Sequence, residues 1–385
     1  MSTPCPYRME ELLKFMIKGN ASDLILKADR PPLYRVLGDL KPLGDIVQQV
    51  VPKLTREHVI ELGYTLLTEQ QIAEFEEVWE LDSAYELPGV CRFRVNFFRQ
   101  RFNTGVAIRA IPFEIWTVEQ LSLPKAVVEF AERPRGLVLV TGPTGSGKST
   151  TLAALIHYIN HTRAEHIITI EDPIEFVHED VQSLINQREL KQDTLSFANS
   201  LRSALREDPD VILIGEMRDL ETIEMAITSA ETGHLVFGTL HTTDAVQTVD
   251  RIIDVFPVHQ QQQIRLQMAS NLVGVVSQTL LKRKDGTARV AAYEVMVATN
   301  AIRSLIREAK THQIASQISV GSRYGMRTLN QALSSMVAHE LVTRPDAIDK
   351  SSHPEELRPM IDEAVSELKL KQEAEAREAA RARRR

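Results

Sequence analysis

In the first third of the chain, hydrophobic positions follow helical spacing in some segments and strand alternation in others. The pattern is clearest at 91–97, where phenylalanine and valine alternate strictly with arginine and asparagine. The predicted elements are a helix at 7–18, strands at 23–27 and 33–37, helices at 55–66 and 68–79, and a hairpin at 90–111 that turns at Asn103-Thr104-Gly105. This mixture predicts a first domain of α+β class at 1–111.

After a predicted linker at 112–123, bounded by Pro112 and Pro124, apolar runs alternate with helical patterns. Such alternation predicts a mostly parallel sheet covered by helices on both faces. The predicted strands are 137–140, 167–170, 211–214 and 235–239. Beyond about 257 the pattern is mostly helical. A second domain is therefore predicted at 124–360, followed by a charged helical or disordered tail at 361–385.

The loop between the strand at 137–140 and the next helix carries the sequence G-x-x-x-x-G-K-[ST], which is typical of a phosphate-binding loop. Its glycines allow a tight turn that points backbone N–H groups at phosphates, and the following helix presents its N-terminus to the anion. Lys148 reaches the β- and γ-phosphates, and Ser149 binds Mg²⁺. The predicted nucleotide-binding residues are Gly142, Pro143, Thr144, Gly145, Ser146, Gly147, Lys148, Ser149 and Thr150.

Composition limits the partners and the cellular compartment that the sequence predicts. The 385 residues are 43% hydrophobic and carry a net charge of −7, which gives no electrostatic reason to expect nucleic acid as a partner. Cys5 and Cys91 lie too far apart for a C-x-x-C motif and fit a reducing cytosol. No apolar stretch is long enough to span a bilayer, so membrane contact is expected to be peripheral.

Candidate catalytic acids follow two predicted strands, where ligands bind in open α/β sheets. Glu175 lies in the box Glu171-Asp172-Pro173-Ile174-Glu175. Glu216 follows the strand at 211–214, with Gly215 where a Walker B acid usually stands. His241 ends the strand at 235–239 and is a candidate contact for the γ-phosphate. Taken singly, each of these segments is equally typical of ordinary solvated or structural side chains.

Together, however, the phosphate-binding loop, acidic box, Walker B-like stretch and histidine box resemble the type II/IV secretion ATPase superfamily in order and content. The N-terminal segments at 20–24 and 31–36 and the helix Ala301-Ile302-Arg303-Ser304-Leu305-Ile306-Arg307-Glu308 resemble, more narrowly, the PilT/PilU family of pilus retraction ATPases. Ser304 replaces an asparagine of that family's motif. The resemblance covers about residues 10–360 and excludes the last 25.

This resemblance implies a PAS-like first domain, a RecA-like P-loop ATPase domain with C-terminal helices, and a hexameric ring. It also implies that Glu175 activates or orients the attacking water and that Glu216 supports Mg²⁺ or water, without settling which glutamate is the base. Arginines at 92, 94, 99, 101 and 109 crowd the hairpin with few acids to compensate them. The resemblance assigns Arg94 and Arg109 to an arginine-finger role in the ring.

The sequence therefore predicts a homohexameric motor that hydrolyses ATP with Mg²⁺ and retracts type IV pili. We expect it to be cytoplasmic, peripheral at the inner membrane, and partnered by the pilus platform protein and possibly a second retraction ATPase. The alternatives are an accessory retraction ATPase, an extension or type II secretion ATPase, and a scaffold that binds ATP without hydrolysing it. Extension and secretion relatives usually carry a four-cysteine metal insert, whereas this chain has only two cysteines. A GTPase is disfavoured because the sequence contains no N-K-x-D motif for binding guanine.

Overall fold

The computed structural model describes residues 4–36, 38–111 and 115–382, with side chains described as far as Gln372. The chain divides into two compact units, Met1–Glu114 and Ile115–Arg385. The first is an α+β domain and the second contains the phosphate-binding loop, so the predicted fold class is confirmed. Of the predicted linker, residues 112–114 lie outside the described residues, whereas Val118 and Leu123 pack into the core of the second unit.

In the first unit, helices pack against a six-stranded antiparallel sheet of order β3-β2-β1-β6-β5-β4. Thr55 and Thr68 each form a capping box at the start of a helix, as their positions in the sequence predict. The strands are β1 Ala21–Leu26, β2 Leu33–Val36, β3 Asp39–Pro42, β4 Glu80–Leu87, β5 Cys91–Gln100 and β6 Asn103–Ile111. The helices are α1 Met9–Lys18, α2 Leu43–Val47, α3 Arg56–Tyr64 and α4 Glu69–Val78.

The predicted hairpin forms, and its alternation is confirmed because Phe93, Val95 and Phe97 are fully buried. Its turn was predicted wrongly. The chain reverses at Arg101 and Phe102, both with positive φ, and not at Asn103-Thr104-Gly105, which begins β6. A two-residue hairpin turn needs left-handed backbone, which normally selects Asn or Gly, so the local sequence pointed to the wrong residues.

The second unit is built on a seven-stranded sheet of order β13-β12-β7-β11-β10-β8-β9. All neighbouring strands are parallel except the edge pair β12–β13, which is antiparallel. The strands are β7 Gly136–Thr141, β8 His166–Glu171, β9 Leu184–Glu189, β10 Val211–Ile214, β11 Leu235–Leu240, β12 Leu272–Lys282 and β13 Arg289–Val297.

Helices cover both faces of this sheet, so its interior strand β7 is buried throughout. Leu137 and Leu139 join one hydrophobic core, and Val138 and Val140 join another on the opposite face. The α-helices are α5 Lys125–Ala131, α6 Lys148–Thr162, α7 Phe197–Ala204, α8 Leu220–Glu231, α9 Ala245–Asp254, α10 Val258–Asn271, α11 Asn300–Arg307, α12 Ile314–Ser319, α13 Leu329–Ala338, α14 Arg344–Lys350 and α15 Pro354–Ala382.

The region beyond 257 is less helical than predicted, because β12 and β13 form a long antiparallel pair there. Short apolar runs do not distinguish a buried strand from a buried helix. After this pair the chain is helical, and Leu357 and Ile361 of α15 enter a small satellite core. The tail continues α15 to Ala382, and the basic residues 383–385 lie outside the described residues. In the described residues, no helix combines the length and apolarity needed to cross a membrane.

Candidate active site

The loop at 142–147 joins the buried strand β7 to helix α6, which begins at Lys148. Gly142, Gly145 and Gly147 all have positive φ, between 77° and 141°. A Cβ at Gly142 would lie 2.3 Å from the backbone oxygen of Gln278 and 2.6 Å from Ser146 Oγ, so a larger residue does not fit. The loop therefore directs the chain tightly into the helix, whose first N–H groups have no intrahelical acceptor.

Lys148 lies where the loop meets the two candidate acids. Its ammonium group donates hydrogen bonds to the carbonyl oxygens of Gly142 (2.8 Å) and Pro143 (3.3 Å). Burial lowers the pKa of Lys148, and the nearby charges of Glu216 and Glu175 oppose that shift. The predicted phosphate-binding lysine therefore lies within electrostatic reach of both predicted catalytic glutamates.

Glu216 follows β10 and is held by two cationic or polar neighbours. Arg218 donates to both carboxylate oxygens at 2.5 and 2.6 Å, and His241 Nε2 lies 2.9 Å from Oε1. Burial alone would raise the pKa of Glu216, but Arg218 and His241 outweigh it and hold this pKa below its usual value. Glu216 is therefore an anion at neutral pH.

Gly215 explains the departure from a standard Walker B strand. A Cβ at this position would lie 3.1 Å from Glu171 Cα and from the Ile170 carbonyl oxygen on the adjacent strand β8. A side chain here would require the adjacent backbone to shift by a few tenths of an ångström, so the close approach favours glycine, and the acid appears one residue later, at Glu216. The same contact brings the end of β10 against the start of the acidic box.

Inside the acidic box, Glu171 and Glu175 have different surroundings. Burial raises the pKa of Glu171 to about 7, although hydrogen bonds from Thr169 and Gln187 lower it and the charge of Glu175 raises it further. The loop that carries Glu175 is anchored at Ile174, whose N–H donates to the buried Glu189 carboxylate at 3.1 Å. Glu189 was missed from the sequence, where it is one more acid in a polar stretch.

Gln278 of β12 was also missed and contacts the phosphate-binding loop directly. Its amide Nε2 donates to the Ser146 carbonyl oxygen at 2.7 Å, and its Oε1 accepts from Thr151 Oγ1 at 2.9 Å. The side chain is 3% exposed, so both ends of the amide are satisfied inside the protein. The polar pair Ser277-Gln278 inside an apolar strand was the available signal.

Arg94 and Arg109 lie together in the first unit, directly paired across β5 and β6. The expectation that few acids compensate the hairpin arginines is wrong. Arg109 Nε lies 2.9 Å from Asp23 Oδ1, Arg94 Nε lies 3.9 Å from Asp82 Oδ1, and Arg99 pairs with Glu76 at 2.6 Å. The acids come from β1, β4 and α4, so no local sequence window showed them.

Magnesium fits the residues of this site. Ser149 supplies a hydroxyl in the first turn of α6 and Glu216 supplies an ionised carboxylate. Mg²⁺ is normally held by one or two such groups together with substrate phosphates and water. The described residues contain no cluster of three or more His, Cys, Asp or Glu arranged as metal ligands.

A phosphate-binding loop between a buried strand and a helix, with carboxylates that follow β10 and β8 of the same sheet, defines a P-loop nucleotide-binding protein. Residues 89–310 match the family model of the type II/IV secretion system protein. The chain belongs to this family of P-loop ATPases.

Individual relatives show which members of this family the chain resembles. The chain is 52% identical to the type IV pilus retraction ATPase PilT of Pseudomonas aeruginosa, over 90% of this chain and 98% of that protein. It is 40% identical to the type IV pilus ATPase PilU of the same organism, over 91% of each chain. A crystal structure of the pilus retraction motor PilT with bound ADP has a TM-score of 0.82 at 48% identity, covering 91% of this chain and 98% of that one.

Proposed function

We propose that this protein is the ATP-hydrolysing motor that retracts type IV pili, acting as a homohexamer at the cytoplasmic side of the inner membrane. The site supports the ATPase part because ionised Glu216 lies within electrostatic reach of Lys148 at the phosphate-binding loop. The retraction part is supported by 52% identity to PilT over nearly the whole of both chains.

In this proposal Lys148 and the backbone N–H groups of residues 142 and 144–150 bind the triphosphate, and Ser149 with Glu216 would hold Mg²⁺. The metal supplies charge neutralisation at the phosphates. Glu216 also orients water through its carboxylate, His241 fixes that carboxylate and contacts the γ-phosphate, and Glu175 activates or orients the attacking water. Arg94 and Arg109 of a neighbouring subunit stabilise the charge on the transferring phosphoryl group.

The platform protein of the pilus machinery in the inner membrane is the proposed partner. Similarity to PilU raises a second candidate, an accessory retraction ATPase that works beside a main motor. The lower identity to PilU, 40% against 52%, favours the main motor. A second retraction ATPase is then a further partner.

Deletion of the gene tests the function. We expect the deletion strain to be hyperpiliated and non-motile, to recover with the wild-type gene, and to stay non-motile with the gene for Lys148→Ala. Lys125→Ala, an exposed lysine outside the loop, is the matched control and is expected to restore motility. Loss of surface pili in the deletion strain would indicate an extension motor instead. Steady-state phosphate release by the purified protein excludes a scaffold that binds ATP without hydrolysing it.

A further inference from the structure

The second unit contains a cavity of about 1060 Å³ at the end of the sheet opposite the phosphate-binding loop. Strand β7 starts in the cavity wall at Gly136 and ends at Thr141, just before the loop. The remaining walls come from the junction of α10 with β12, the first turn of α11, and the segment 317–326. Its size is typical of a ligand pocket.

The charged side chains that line the cavity are mostly basic. They are four arginines and one acid: Arg133, Arg135, Arg303, Arg323 and Glu231. The Glu231 carboxylate accepts a 2.8 Å hydrogen bond from Gln267. Within the described ranges, the side chains of Arg133, Arg135 and Arg323 form no ion pair. Arg323 lies over the Tyr324 ring, 4.6 Å from its centroid. The chain as a whole is acidic, so this basic cluster without ion-paired acids is a local exception.

Arg303 is fixed in the wall and does not reach outward. Its guanidinium donates to four carbonyl oxygens, those of Ala298, Ala269, Ser270 and Leu272, at 2.5 to 2.8 Å. Burial lowers its pKa, and the positive charges of Arg307 and Arg133 lower it further. Arg133 therefore lies close to another cation, and the surrounding acids do not neutralise the pair.

The rim of the cavity is apolar as well as basic. Val320 is 73% exposed and Tyr324 is 46% exposed, and both line the opening. A phosphate ion would use the arginines and leave this rim in water. A peptide that carries both carboxylates and apolar side chains satisfies both features.

The cavity also gives a role to the helix Ala301–Glu308 that the sequence singled out. Ile302 and Ile306 are fully buried in the main core, and Leu305 packs against it, so the apolar face of this helix is structural. Asn300, Ala301 and Arg303 line the cavity instead. The residues of this segment that lie outside the core therefore form part of the cavity wall.

We propose that this cavity binds an acidic, partly apolar peptide segment of a partner protein. Arg133, Arg135 and Arg323 pair with its carboxylates, and Val320 and Tyr324 contact its apolar side chains. The binding site lies at the opposite end of β7 from the phosphate-binding loop, so it is separate from the site of ATP hydrolysis.

The probe is a fluorescein-labelled peptide, acetyl-(Glu-Leu-Asp)₄-amide, titrated with the full-length protein at low salt while anisotropy is recorded. We expect saturable binding, and about tenfold weaker binding to the double variant Arg135→Glu/Arg323→Glu, because unlike charges become like charges. Arg289→Glu, an exposed arginine outside the cavity, is the matched control and is expected to bind as wild type. Phosphate release should be unchanged in all three proteins.

Additional measurements separate this proposal from its rivals. A neutral peptide, acetyl-(Gln-Leu-Asn)₄-amide, is expected to bind about tenfold more weakly than the acidic one. Arg135→Gln is measured as a milder variant in case the double variant does not fold. Equal binding to wild type and to the cavity variants would overturn the proposal. Displacement of the peptide by millimolar inorganic phosphate, when sodium chloride of the same ionic strength leaves it bound, would also overturn it. Loss of oligomeric mass in the double variant but not in Arg289→Glu would show that a second copy covers the cavity, which also overturns it.

Discussion

His241 Nε2 lies 2.9 Å from Glu216 Oε1, which joins the ends of the adjacent strands β11 and β10. The same carboxylate is bound by Arg218 and lies within electrostatic reach of Lys148. Glu216 is therefore the point at which the histidine box, the Walker B-like strand and the phosphate-binding loop meet. A change of its charge should affect the chemistry more than the fold.

For this reason we expect Glu216→Gln to reduce hydrolysis by about 10²-fold or more while ATP binding is retained, since the change preserves size and removes the charge. Glu175→Gln should act in the same direction. Phosphate release and equilibrium binding of a fluorescent ATP analogue are measured separately. Glu224→Gln, an exposed acid on α8, is the control. Loss of nucleotide binding in both site variants would make these acids structural.

Gln278 provides a second test, because it holds the loop from a strand that carries no nucleotide motif. Gln278→Leu leaves the Ser146 carbonyl and the Thr151 hydroxyl without their buried partner. We expect a loss of about 1–3 kcal/mol in the free energy of unfolding and a higher KM for ATP, with a smaller change in kcat. The exposed Gln263→Leu on α10 is the control. Unchanged stability together with unchanged KM would refute the positioning role.

Glu171 predicts a pH dependence of stability. Its pKa is raised from 4.5 to about 7, so the folded state favours the protonated form. The contribution of Glu171 to the free energy of unfolding is fully present below about pH 4.5 and is lost as the pH rises through about 7. Glutamine does not titrate, so Glu171→Gln lacks this loss. The free energy of unfolding of Glu171→Gln relative to wild type should therefore increase between pH 4.5 and 7, by on the order of 3 kcal/mol.

Chemical denaturation at half-unit pH steps from 4.5 to 8 measures this difference. Glu224→Gln is again the control, since the Glu224 carboxyl is exposed to solvent. A constant difference between Glu171→Gln and wild type across the whole range would mean that Glu171 titrates normally in the folded protein.

The sequence predicted the phosphate-binding loop, the acids and the histidine because each belongs to a local pattern at the end of a strand. It did not predict Gln278, which contacts a loop 132 residues earlier in the chain, or Glu189, which is bound by the N–H of Ile174, 15 residues away in a separate loop. The hairpin arginines show the same limit, since their acidic partners lie outside the hairpin, on β1, β4 and α4. The strands β12 and β13 were missed because apolar runs alone do not separate buried strands from helices.

The charged tail allows a prediction by truncation. Leu357 and Ile361 anchor the start of α15 in a buried cluster, whereas Leu370 is 67% exposed. A chain that ends at Lys371 therefore loses little buried apolar surface, and we expect its ATPase activity and assembly to match wild type. A chain that ends at His353 loses the anchors and should be destabilised. Disassembly after truncation at Lys371 would make the tail an assembly element.

Arg94 and Arg109 are tested last, because their proposed role depends on a neighbouring subunit. We expect Arg94→Ala and Arg109→Ala to reduce hydrolysis while ATP binding is retained, since an arginine finger acts on the transferring phosphoryl group. Arg99→Ala, on the same strand as Arg94 and also ion-paired, is the matched control and should keep its activity.

Mixed rings then separate action between subunits from a local effect. Arg94→Ala has an intact phosphate-binding loop but lacks the arginine, whereas Lys148→Ala has the arginine but lacks the loop lysine. If a neighbour supplies Arg94, mixing the two inactive proteins should restore part of the activity. Mass spectrometry of the intact complexes confirms that the rings are mixed. No recovery in confirmed mixed rings would show that Arg94 does not act across a subunit boundary, and its pairing with Asp82 would then be its structural role.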